Sequence, residues 1–150
     1  MMSAIVLAVA LAAGQVKEPP AAVGMSESQA EQSAMLLAHC AGVWDWMGNI
    51  EKVAGKPSRV EQFHRKADEA ETAAMWVLAS QHYVATGNTA SGAHWKSLTR
   101  PKREAGLAHM NALAEPGQEK ASLAAIKGCQ GMLQEQEKIL HMMQKTKVKQ

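Results

Sequence analysis

Apolar residues recur at helical spacing in four stretches of the chain. In the first, Leu36, Cys40, Val43, Met47 and Ile50 follow one another at steps of four and three, which draws one stripe down a helix. Ser28 and Glu31 supply a capping box at its start. Gly55-Lys56-Pro57 ends it. The second stretch repeats the signal, with Ser58 and Glu61 as cap and box. Its stripe is Val60, Phe63, Ala67, Ala70, Ala74, Val77 and Leu78, then Val84, and Gly87-Asn88 stops it. At roughly 28 residues this helix is about 42 Å long.

Gly87 to Gly92 reads as a loop, and His94, Trp95 and Leu98 follow in a weakly patterned segment. A third helix is predicted from Thr99, with Pro101 in its first turn, where the missing N–H is harmless. Leu107, Met110 and Ala114 form its stripe, and Pro116-Gly117 breaks it. The fourth helix runs from Gln118 to Lys145, with Ser122, Ile126, Cys129, Leu133, Leu140 and Met143 on one face. Short connections between long amphipathic helices predict an all-α, antiparallel bundle.

The N-terminus follows a different pattern. Ala4 to Ala13 is an unbroken apolar run closing on small residues. Ala10-Leu11-Ala12 has the small-x-small form read by signal peptidase, and the run is too short to span a bilayer. The n-region carries no Lys or Arg. The expected organisation is a signal peptide over 1–13, a flexible leader over 14–27, a bundle over 28–146 and a frayed basic tail over 147–150.

Composition sharpens the fold class. Hydrophobic residues make up 47% of the 150, but 27 residues are Ala and 10 are Met, while Leu, Ile, Val and Phe together number 26. Scarce β-formers exclude an all-β fold. A formal net charge of only +2, with periodic apolar positions, excludes disorder. The core must be thin and rich in small side chains.

Cys40 and Cys129 fall near the centres of the first and last stripes. An exported chain meets an oxidising compartment, so a Cys40–Cys129 disulfide joining the first and last helices is predicted. Closing so long a loop is worth about 4–5 kcal/mol on the chain-entropy account. Gly42, Gly128 and Gly131 are expected to let the two backbones approach.

Candidate chemistry is sparse. No nucleophile elbow, Ser-x-x-Lys, zinc-protease or phosphate-loop motif occurs, so no catalytic or cofactor-binding residue is assigned. Glu61-x-x-His64 is half of a di-iron motif without its second half, and it projects to the solvated side. His39, His109 and His141 adjoin Cys40, Met110 and Met142-Met143. Copper handling by His and Met is therefore an alternative, although His109 and Met110 project oppositely. His39 projects into an apolar sector and is a candidate pH-sensitive group. Trp44 and Trp46 are expected in the core and Asp45 in solvent.

Trp76 and Tyr83 lie seven residues apart on one line of the second helix, away from the Phe63 stripe. They are a candidate partner surface, or they are covered by the 88–98 segment with Trp95. Arg100, Lys102 and Arg103 read as a basic cluster. Lys145, Lys147 and Lys149 suit weak contact with an anionic surface, while interleaved aromatics for nucleic acid are missing. The expectation is a small exported protein, periplasmic or secreted, that binds another protein in a chaperone-, inhibitor- or envelope-accessory role. An enzyme whose site escapes motif reading, around carboxylates such as Glu69 or Glu104, is a further alternative.

Overall fold

A computed structural model describes residues 25–148, with side chains described through Lys145. The signal-peptide reading of 1–13 and most of the leader lie outside the described residues, as do Lys149 and Gln150. Four helices and no strands occur among the described residues: α1 (Glu27–Val53), α2 (Pro57–Thr86), α3 (Gly92–Leu113) and α4 (Glu119–Val148).

Three helix starts differ from the predicted ones. α1 is capped by Ser26, whose hydroxyl accepts from the Gln29 N–H while the Gln29 side chain accepts from the Ser26 N–H. The same capping box thus forms two residues before Ser28 and Glu31, with Gln doing the work of Glu. α2 begins directly on Pro57 after Lys56, and no side chain caps it, so the Ser58–Glu61 box is absent. Proline at the first helical position has no N–H to leave unsatisfied.

The third difference is larger. Ser91 caps α3 through the His94 N–H, and the helix takes in the whole 92–98 segment. Pro101 therefore stands inside the helix rather than in its first turn. Trp95 is buried against Ala79, with Met75, Leu78 and Tyr83 packed around them, and this contact anchors the early turns of α3. At the far end of the chain, helical backbone extends past Lys145 to Val148.

Packing follows side-chain size. α1 lies along α2 and α3, whereas α4 touches the other helices at fewer points. Between α1 and α2 the buried positions are largely Ala30, Ala34, Ala38, Ala73 and Ala74, around Leu37, Trp76 and Val77. Alanine lets helix axes come close, so a core poor in bulky residues still excludes water. α4 stands farther off and reaches this core with longer side chains, Met132, Ile139, Leu140, Met142 and Met143. A second cluster gathers Cys40, Val43, Trp44, Ala67, Met110 and Cys129.

Trp44 stacks on Phe63 with ring centroids 6.2 Å apart, and the Lys66 ammonium lies 5.4 Å from the Trp44 ring. Trp46 is half-buried against the same cluster. The α1 stripe drawn from large residues is only partly covered: Cys40 and Val43 are buried, but Leu36 and Ile50 are exposed. A stripe drawn through bulky residues passes over Ala30, Ala34, Ala38 and Ala41, four of the eleven buried residues of α1.

Cys40 and Cys129 form a disulfide with a Cα separation of 5.4 Å, and both residues are buried. The bond ties α4, the least engaged helix, to α1. The glycines serve other ends than expected. A Cβ at Gly128 or Gly131 would meet nothing within 4 Å. Gly42 packs not on α4 but on Gly106 of α3, and a Cβ at Gly42 would strike the Arg103 carbonyl and the Leu107 amide.

Candidate functional site

The Gly42–Gly106 contact organises the densest polar chemistry in the protein. His39, Gly42 and Asp45 stand one turn apart on α1. Opposite them on α3 are His109, Gly106 and Arg103. Glycine at the middle position of each helix removes the side chains that would hold the backbones apart. The flanking polar pairs can then meet across the gap.

On one side, Arg103 grips Asp45 with two hydrogen bonds, Nε to Oδ2 at 2.6 Å and Nη2 to Oδ1 at 2.9 Å. Its Nη1 donates to Glu71 Oε2 at 2.7 Å and Asp68 Oδ1 at 2.9 Å. Arg100 holds Glu71 with a second fork, Nε to Oε1 and Nη2 to Oε2, both at 2.9 Å. The buried Thr99 hydroxyl donates to Glu71 Oε1 at 3.3 Å. His64 Nδ1 lies 3.1 Å from Asp45 Oδ1, and Gly48 makes room for its ring.

Burial and ionisation oppose each other here, and the hydrogen bonds prevail. Burial alone would raise the Glu71 carboxyl, but the forks of Arg100 and Arg103 hold it below its ordinary value. Burial alone would lower the Arg103 guanidinium, and hydrogen bonds to Asp45, Glu71 and Asp68 raise it instead. Both arginine forks are spent on carboxylates of the chain itself. The arrangement is a clamp across α1, α2 and α3.

Two expectations change. Asp45 is not a solvated residue between two tryptophans; its carboxylate is held by Arg103 and faces His64. Arg100 and Arg103 are not a free basic cluster, because each is neutralised by carboxylates of other helices. A signal for this was present. Asp68 and Glu71 are three apart on α2, and Arg100 and Arg103 are three apart on α3, so two charged pairs of opposite sign share one spacing.

On the other side of the glycines, His39 is half-buried and the exposed His109 stands over it. Their ring centroids are 5.5 Å apart, with His109 Nδ1 3.5 Å from His39 Nε2. Burial, then the charges of His109 and Lys102, hold the His39 imidazole below its ordinary value. Any stability linked to neutral His39 is therefore complete above about 6.5 and lost as pH falls from there through the folded value.

Trp76 is fully buried and belongs to the apolar cluster built from residues of α1, α2 and α4. Tyr83 is half-buried beside Trp95. Their line is therefore divided between two apolar clusters and does not present Trp76 to solvent. Glu61 is exposed and pairs with Arg65 at 3.4 Å, one turn along, while His64 turns to Asp45, so the half-motif is not a joint site. Among the described residues no group of three or more His, Cys, Asp or Glu is placed to hold a metal ion. No described helix is long and apolar enough to cross a membrane.

The chain matches no protein family, no curated protein and no solved structure.

Proposed function

We propose that this is an exported, non-catalytic helical protein that works by binding another protein, in a chaperone-, inhibitor- or envelope-accessory role. The observation that carries the reading is the contrast between its polar and apolar surfaces. The densest cluster of charge is closed on itself by the Arg100 and Arg103 forks, with none of their carboxylate partners reserved for a substrate. Large apolar side chains are meanwhile left in solvent. Among the described residues these are Leu36, Ile50 and Val53 on α1, the last 89% exposed, with Val84 on α2, Leu98 on α3 and Leu123 on α4. α1 carries three of these six side chains, and we put the proposed partner surface there; Trp76 is fully buried and Tyr83 half-buried.

Export is supported by the disulfide, a bond that persists in oxidising compartments, and by the short apolar run over 4–13. An antiparallel course for α1 and α2 is supported by a three-residue connection and by the order of their pairs. Glu51 meets Arg59 near the turn, and Asp45 meets His64 farther along.

Photo-cross-linking in the producing cell tests the function. A cross-linker at Leu36, Ile50 or Val53 should give one discrete protein adduct, and one at the exposed Gln62 should not. Equal adducts at all four positions, or none at any, would contradict the reading.

A further inference from the structure

We propose that His39 and His109 form an open two-histidine site for a divalent, imidazole-seeking transition ion, Zn(II), at the α1–α3 contact. The facing nitrogens, Nε2 of His39 and Nδ1 of His109, are 3.5 Å apart. An N–H···N hydrogen bond between two rings is shorter than that, by roughly half an ångström. The spacing instead approaches the edge of a zinc tetrahedron. With Zn–N near 2.0–2.1 Å, two ligand nitrogens lie about 3.3–3.4 Å apart. With protons carried on His39 Nδ1 and His109 Nε2, both facing nitrogens present lone pairs to one point.

The frame is preorganised. Each histidine sits one turn from the glycine that sets the helix separation, so the two ligands rest on rigid, mutually locked elements rather than on loops. His109 is exposed, so solvent reaches the gap and water can complete the coordination. The Lys102 ammonium opposes a cation there. That opposition makes a prediction of its own, because a structural histidine pair has no reason to respond to Lys102 by gaining zinc affinity. Met110, the residue after His109, is fully buried in the adjacent cluster and takes no part.

The test is calorimetric titration of the disulfide-bonded protein with zinc chloride in a non-coordinating buffer. One ion per chain is expected. His39→Gln and His109→Gln should each weaken binding at least tenfold, and His141→Gln should leave it unchanged. Lys102→Gln should tighten binding severalfold. His109 is exposed, so its variant keeps the test valid if His39→Gln fails to fold. No binding at about 1 mM zinc, or equal binding by the wild type and His109→Gln, overturns the proposal. A Lys102→Gln variant that binds no more tightly also counts against it. The test is independent of the proposed partner binding.

Discussion

Replacing Arg103 with methionine removes four hydrogen bonds while keeping most of the side chain's volume. The loss does not fall evenly on the partners. Glu71 retains the Arg100 fork and the Thr99 hydroxyl, and Asp68 is largely solvated. Asp45 keeps only His64, and its side chain is just 16% exposed. Orphaning a buried charge by deleting its partner costs about 3–5 kcal/mol, and some access to water puts Asp45 at the lower end. Arg103→Met should therefore destabilise the fold by about 3 kcal/mol in urea, with an unchanged m-value. If the cost is the stranded carboxylate, neutralising it must recover part of it. Asp45→Asn combined with Arg103→Met should lose less than the sum of the two single variants, with a coupling of about 2 kcal/mol. A single-variant cost below about 1 kcal/mol, or strictly additive losses, would show that Asp45 is solvated enough to need no partner.

Four further outcomes follow from the same geometry. Replacing both cysteines with alanine should cost about 4–5 kcal/mol on the loop-entropy account, and chemical denaturation reads it directly; a loss under about 2 kcal/mol would mean that α4 is held by its own packing. Hydrogen exchange in that variant should accelerate first in α4, the helix with the fewest approaches to the rest. Gly42→Ala should destabilise by about 1–3 kcal/mol or more, because its Cβ would strike α3 backbone, which cannot swing aside as a side chain can; Gly128→Ala, facing open space, should be neutral or stabilising when both thermal midpoints are compared. The contribution of ionised Glu71 is complete above its ordinary value of 4.5 and is lost as pH falls through its lower folded value. Stability measured from pH 6 downward should fall more steeply in the wild type than in Glu71→Gln, and parallel slopes would remove Glu71 from the acid response.

Some of the molecule was legible in the sequence because its signals are local. Helical periodicity placed all four helices, and two cysteines in mid-stripe gave the disulfide. The start of α3 was misread because Pro101 looked like a first-turn proline, whereas the Ser91 cap and the burial of Trp95 begin the helix earlier. The buried face of α1 was misread because a stripe drawn through large residues passes over Ala34, Ala38 and Ala41, all fully buried. The clamp was legible only in the matched spacing of Asp68–Glu71 and Arg100–Arg103, and its Asp45 arm was not. Asp45 and Arg103 are separated by 58 positions, and no local pattern reports a pairing that depends on two glycines meeting across helices. The glycines held a clue in their own spacing. His39-x-x-Gly42 on α1 and Gly106-x-x-His109 on α3 are mirror images, and the structure sets one against the other.

The proposed export goes together with the disulfide that fastens α4 to α1. Intact mass spectrometry of the protein isolated without reductant from its native host tests both parts at once. The predicted species lacks the first 12 or 13 residues, is lighter by two hydrogens than its reduced form, and takes up no alkylating reagent until reduced. A full-length chain with two alkylatable thiols would contradict the account.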